Sequence, residues 1–191
     1  MFDIDLPMAQ AREQSKAVRV YDELERRLIA QFGGKAQIPV LNKDGQPMMG
    51  KDGPAVEPLI RRGWLACYLE QRNAWPLLTI EGFKDKATWS GGTILHEEII
   101  NIRATLKVDM QRDMDPDAIM RMALKHMRRA MFDMDEIREH NGIFLATKAG
   151  EKLLMGRGLQ EHETAQFTPP EPGLPYCAVH LQLSFSYTET P

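Results

Sequence analysis

Cys177-Ala178-Val179-His180-Leu181-Gln182-Leu183-Ser184-Phe185-Ser186-Tyr187-Thr188 alternates without a break. Cys177, Val179, Leu181, Leu183, Phe185 and Tyr187 fall on one side; Ala178, His180, Gln182, Ser184, Ser186 and Thr188 fall on the other. Successive side chains of a strand point to opposite faces, so the stretch predicts a strand with one buried and one polar face. At roughly 3.3 Å per residue it would run about 40 Å. A domain of this length is itself only about 40 Å across. Pairing into a sheet would also tie down a terminus of the kind that frays in most domains.

Working outward, Ile99 to Met110 has the same style. Ile100, Ile102, Ala104, Leu106, Val108 and Met110 alternate with Asn101, Arg103, Thr105, Lys107 and Asp109. Its length and phase match the terminal strand, so the two are expected side by side in one sheet. Pro76 to Ile80 reads as a short strand closed by a Glu81-Gly82 turn, with Phe83 to Gly92 a polar connection. Lys152 to Leu159 is a further strand candidate, interrupted by Gly156 and Gly158.

Helical periodicity runs from Ala9 to Phe32, where Ala17, Tyr21, Leu24, Leu28 and Phe32 share a face and Gly33-Gly34 supplies the stop. Asp115 is a good N-cap, Pro116 suits the first helical position and Asp117 complements the helix dipole. The stripe expected behind them is Ile119, Met122, Ala123, His126, Met127 and Ala130. Glu57 to Arg72 has a weaker helical pattern with Leu59, Ile60, Trp64, Cys67 and Tyr68 on one face. A polar stretch after Phe132 ends in the turn dipeptide Asn141-Gly142.

The order of these elements predicts a single α+β domain over residues 1–191. Its mixed or antiparallel sheet has long central strands packed against two or three helices. Residues 35–58 interrupt it as a peripheral, irregular Pro/Gly-rich insertion. Pro39, Pro47, Pro54 and Pro58 are interleaved there with Asp44-Gly45 and Asp52-Gly53. Its apolar pieces, Ile38 to Leu41 and Pro47 to Met49, suggest a small hairpin across Asp44-Gly45. Such loops in compact domains are often functional. Ile38, Val40, Met48 and Met49 are therefore candidate oligomer or partner contacts, together with Pro169, Pro170 and Tyr176 on the stiff connection into the last strand.

Composition narrows the function classes. The 191 residues carry 24 Lys and Arg against 27 Asp and Glu, a formal charge of −3, which lacks the basic excess of a dedicated nucleic-acid binder. No apolar run approaches the ~20 residues of a membrane span. The two cysteines, Cys67 and Cys177, sit inside apolar patterns, as expected of buried free thiols in a soluble protein of a reducing compartment. Twelve methionines suit core filling on a helix or an adaptable protein surface.

No catalytic, metal or cofactor motif stands. His96-Glu97-Glu98 opens like a zinc-protease helix, but Ile100 occupies the place of the second histidine. Asp113, Asp115 and Asp117 resemble the start of a calcium loop, but Ala118 and Leu124 replace its Gly and Glu. Gly33-Gly34-Lys35 lacks the flanking residues of a phosphate loop, and no serine sits in a nucleophile elbow. No cofactor and no metal are expected.

Taken together, the elements resemble the tail terminator and tail-completion proteins of long-tailed bacteriophages. The likeness rests on the helix ending Phe32-Gly33-Gly34, the Pro-led strand Trp75 to Ile80, the long strand Ile99 to Met110, the Asp115-Pro116 helix and the Val-x-Leu-x-Leu-x-Phe-x-Tyr strand from Val179 to Tyr187. It covers most of the chain outside Lys35 to Pro58. The resemblance implies a non-enzymatic virion protein made in the host cytoplasm. It would form a homo-oligomeric ring, typically of six subunits, that ends the tail tube and offers a joining surface to the head-tail connector. DNA would pass through the lumen without sequence-specific binding, and no membrane is involved. Two other readings remain open from the residues. One is a different neck or head-completion connector. The other is a small enzyme assembled from dispersed groups such as His96, Glu97, His162 and Glu163.

Overall fold

The computed structural model describes residues 15–33, 37–39, 46, 48–64, 76–108, 115–132, 142–145 and 151–190. Among them the chain forms helices α1 (Lys16–Phe32) and α2 (Pro116–Phe132) and a 3-10 turn at Gly142–Phe144. The strands are β1 (Gln37–Pro39), β2 (Met49–Gly50), β3 (Gly53–Pro54), β4 (Val56–Pro58), β5 (Ile60–Arg62), β6 (Leu77–Ser90), β7 (Thr93–Lys107), β8 (Gln160–Glu161), β9 (Gln166–Thr168) and β10 (Tyr176–Glu189). The class is α+β, with a mixed central sheet.

That sheet runs β5-β6-β7-β10-β8, and β9 also pairs with β10. The two alternating strands predicted from sequence are neighbours: β10 lies antiparallel to β7 from Tyr176↔Lys107 to Glu189↔Ile94. Cys177, Val179, Leu181, Leu183, Phe185 and Tyr187 are all buried, as the alternation requires. Across the register, Leu106, Ala104, Ile102 and Ile100 share their face, and Leu78 and Ile80 extend it onto β6. The helices close this face with Val20, Leu24 and Leu28 from α1 and Met120, Ala123, Leu124, Met127, Ala130 and Met131 from α2. Leu145, Leu153, Leu154 and Leu159 complete the core.

Local chemistry sets the boundaries. The backbone N–H of Ala118 donates to Asp115 Oδ1 at 3.0 Å, so Asp115 caps α2 as expected. Gly33, at φ +110, ends α1. The helix stripes are rotated from those read off the sequence. In α1 Val20 is fully buried while Ala17, Tyr21 and Phe32 only flank the core. In α2 the core takes Met120, Leu124 and Met131, and Met122 is 46% exposed. The reason is that α2 packs on the sheet while its Ile119 and His126 side turns toward α1, where Gln31 Nε2 donates to His126 Nδ1 at 2.8 Å. Methionine thus fills the core at Met120, Met127 and Met131, as expected of a helix filler.

Four expectations are corrected. Glu81-Gly82 does not end a strand: β6 continues to Ser90, with a bulge between Gly82 and Lys84. Gly82 is there because a Cβ would come within 3.3 Å of the Tyr21 hydroxyl, so the glycine serves close approach, not a turn. Glu57 does not begin a helix, since β4 and β5 occupy that stretch and β5 pairs parallel to β6. Gly63 N–H donates to the Ile80 carbonyl at 3.0 Å, where a helix would have needed it internally. Residues 65–75 lie outside the described residues. In the insertion, Ile38 faces Glu57 across β1 and β4, and Met49 faces Pro54 across β2 and β3, so the pairing differs from a hairpin across Asp44-Gly45. Lys152 to Leu159 is not a strand; it delivers buried Leu153, Leu154 and Leu159 along an irregular path.

Ile102 sits at the centre of the sheet, fully buried between Ile80 and Leu181. Ile102→Ala should lower unfolding free energy by about 2–5 kcal/mol in denaturant titration. Gly158, at φ +70, has the Ile143 carbonyl oxygen 2.5 Å from any added Cβ. Gly158→Ala should therefore destabilise despite its small size, by more than the ~1 kcal/mol typical of a point mutation, whereas Gly156→Ala, with open space around it, should cost less.

Candidate functional site

The long strands outrun the helices, and this overhang is where unsatisfied surface collects. From Phe83 to Ser90 every residue of β6 is exposed, including Phe83 at 55% and Trp89 at 67%. The β6–β7 hairpin turns at Gly91-Gly92, both at positive φ as a type I′ turn requires. Beyond Ile80 and Gly63, no described residue pairs with the outer edge of β6.

On the helix side of the overhang, strand register gathers Asp85, His96, Glu98 and Tyr187, and the start of α1 adds Tyr21. The Tyr21 hydroxyl donates to Glu98 Oε1 at 2.5 Å. His96 Nδ1 lies 3.1 Å from Asp85, and its ring stacks on Tyr187 at 4.8 Å between centroids. Burial, joined by the charge of Asp85 and opposed by the Tyr21 bond, holds the Glu98 carboxyl above the usual range. Burial and the charge of Glu98 likewise push the phenols of Tyr21 and Tyr187 well up. Glu189 closes the group by accepting from Ser15 Oγ and the Ala17 backbone N–H, each at 3.1 Å.

The second face carries a different polar layer. Thr79 Oγ1 donates to the buried Glu81 at 2.9 Å, and Arg103 lies 3.4 Å from the same carboxylate. Arg103 Nε donates to His180 Nδ1 at 3.3 Å, which fixes Nδ1 as an acceptor. Nε2 then carries the proton and faces Thr168 Oγ1 at 3.3 Å. Burial, then Arg103, hold His180 below the ordinary imidazole value, so the ring is neutral.

Farther out on the second face is an open groove of about 670 Å³. Lys84, Lys86, Glu97, Ile99, Ser184 and Ser186 contribute from the strands, and Met155, Arg157, Gln160 and His162 from the segment beside β10. Lys86 Nζ pairs with Glu97 at 3.0 Å. A smaller cleft of about 320 Å³ lies between the helices, around Phe32, Ile119, Met122 and His126.

Of the groups named for a dispersed enzyme site, Glu97 and His162 border the same groove, while His96 lies beside Asp85 on the helix side. His162 and Glu163 lie 4.0 Å apart past β8. His96 is backed by Tyr187 with its Nε2 buried, and its partner Asp85 also borders the groove. Among the described residues no group of three or more His, Cys, Asp and Glu could hold a metal ion. His96-Glu97-Glu98 is part of a strand, which removes the helix a zinc-protease motif needs. Cys177 is a buried free thiol, pushed up by desolvation; Cys67 lies outside the described residues. No described helix is long and apolar enough to cross a membrane.

Of the candidate contacts, Met48 and Met49 are 48% and 72% exposed at the β2–β3 hairpin. Ile38 is in β1, and Val40 lies outside the described residues. Pro169 and Pro170 border a cleft with Phe167 and Met120, and Tyr176 opens β10 half-buried. Sequence reasoning missed the Asp85–His96–Glu98 group and the exposed blade. The signal was available in Gly91-Gly92, a two-residue hairpin dipeptide that sets Asp85 opposite Glu98.

No protein-family model matches the chain, and no curated protein matches it in sequence.

Two pH effects follow. The unfolded chain protonates His180 at about pH 6.5 while the fold keeps it neutral, so stability should fall as pH drops from that value toward the lower folded one. Thermal melts of His180→Asn should show a shallower acid slope than wild type. Glu98 works in the opposite sense: its folded pKa is raised, so its contribution is present at low pH and lost as pH rises through the folded value. Glu98→Gln, which keeps an acceptor for Tyr21, should raise Tm at about pH 8 and show a shrinking gain toward about pH 4.

Proposed function

We propose that this protein is a structural virion component that caps the tail tube of a long-tailed phage as a homo-oligomeric ring, stops tube growth and presents a surface to the head-tail connector. The observation that carries the reading is the β6–β7 overhang: an extended blade whose outer edge is unpaired among the described residues, with exposed Phe83 and Trp89. Exposed large aromatics on a rigid element are what a protein interface consumes. A ring needs one patch to meet a different patch on the next copy, and a sheet with unlike flanks supplies both.

A chain near neutrality also suits the role, because DNA moving through a lumen should meet few cations that retain it. Tyr21, Glu98 and Glu189 tie the start of α1 to the blade, which suits a stiff docking element. The ring, the tube and the connector belong to this proposal together with the virion location.

Size-exclusion chromatography with light scattering, with and without tail-tube subunits, tests it. A ring on tube ends is the expected result, and loss of the gene should give overlong tails. A strict monomer that ignores tubes would overturn the reading; normal tails beside unjoined heads would move the protein to the head side.

A further inference from the structure

We infer that the groove on the second face binds a small organic phosphate monoester, its phosphate held between Lys84 and Arg157 and its organic body laid over Ile99 and Met155. The site stands apart from the ring reading above. Strand register builds it: Lys84, Ile99, Ser184 and Gln160 lie in one row across β6, β7, β10 and β8. Three strand spacings of about 4.8 Å set the two ends of that row roughly 14 Å apart, a gap that long basic side chains close from either wall. On the wall beside β10, the Met155 N–H donates to the Ser186 carbonyl, and the Gly158 N–H turns back onto the Met155 carbonyl. Arg157 therefore stands at the tip of a turn. Gly158 holds that turn against the Ile143 carbonyl, where no Cβ fits. The groove's volume of about 670 Å³ lies within the range of small-molecule sites.

Its hydrogen-bonding capacity is unspent. Among the described residues, Ser184, Ser186, Gln160 and Arg157 make no side-chain hydrogen bond or ion pair. Lys84 meets only the Phe83 ring, with Nζ 5.2 Å from the centroid. The carboxylates at the border are already engaged: Glu97 with Lys86, Asp85 with His96, and Glu98 as acceptor from Tyr21. What remains is two cations facing two hydroxyls and an amide. A phosphate monoester carries about −1.5 to −2 charge near pH 7 and three acceptor oxygens, which matches that set. A carboxylate offers one charge and two oxygens, and leaves donors unused. Phosphate alone would leave Ile99 and Met155, the latter 45% exposed, in water, so the ligand carries an organic body that covers them.

Titration calorimetry with phenyl phosphate at low ionic strength tests the site. Saturable binding of one molecule per chain is expected. Lys84→Gln and Arg157→Gln should each weaken it about tenfold, the usual loss for a charge-assisted hydrogen bond. Both side chains are exposed and outside the core, so these variants keep the fold, which circular dichroism verifies. Arg121→Gln is the control: its guanidinium pairs with Asp117 on α2, and the variant should bind as wild type does. Benzoate should bind about tenfold more weakly than phenyl phosphate, and inorganic phosphate several-fold more weakly. Benzoate binding as tightly would overturn the phosphate assignment; inorganic phosphate binding as tightly would overturn the organic body. No saturation by about 10 mM phenyl phosphate, or saturation that both groove variants leave unchanged, would overturn the site itself.

Discussion

The β7–β10 pairing is the constraint on which the rest depends. The two strands lie in unbroken antiparallel register from Tyr176↔Lys107 to Glu189↔Ile94. Because side chains alternate, a slip of one residue would carry the whole row from Cys177 to Tyr187 out of the core. Burial of that row against Val20, Leu24, Leu28 and Met127 holds the register, and the register places every polar group on the sheet. The overhang follows from it: strands this long exceed what the helices cover.

The two sheet faces do different work at their polar ends. Glu81, Arg103 and His180 form a hydrogen-bonded layer in which burial and Arg103 disfavour a charged His180. Asp85, His96, Glu98 and Tyr21 instead fasten the start of α1 to the blade. Burial holds the Glu98 carboxyl protonation-prone, and Asp85 and Glu98 also border the groove.

Much of the fold was legible because its strongest signals were local. The strict alternation of Ile100 to Leu106 and of Cys177 to Tyr187 reads directly as two-sided strands, and Asp115-Pro116 reads directly as a helix start. What failed to read was whatever lacks a buried side. Phe83 to Ser90 has no apolar period because neither of its faces meets the core, so it passed for a loop. Gly82 passed for a turn because sequence does not show the Tyr21 hydroxyl that packs close above it. The helix stripes were found and their azimuth missed, since packing of α2 against both sheet and α1 decides which of Met120 and Met122 turns inward. The site was hidden for the same reason: Asp85 and His96 meet only through a hairpin register that a single Gly-Gly dipeptide sets.

The proposal turns on the outer edge of β6, unpaired among the described residues, becoming an interface on assembly. Amide hydrogen exchange across Gly82 to Ser90, in free protein and in protein bound to tail tubes, measures this directly. Every second amide points to the outer edge; these should exchange freely in the protomer and become protected on assembly, while their β7-bonded neighbours change little. Equal exchange of the outer amides in both states, with assembly otherwise complete, would contradict the account.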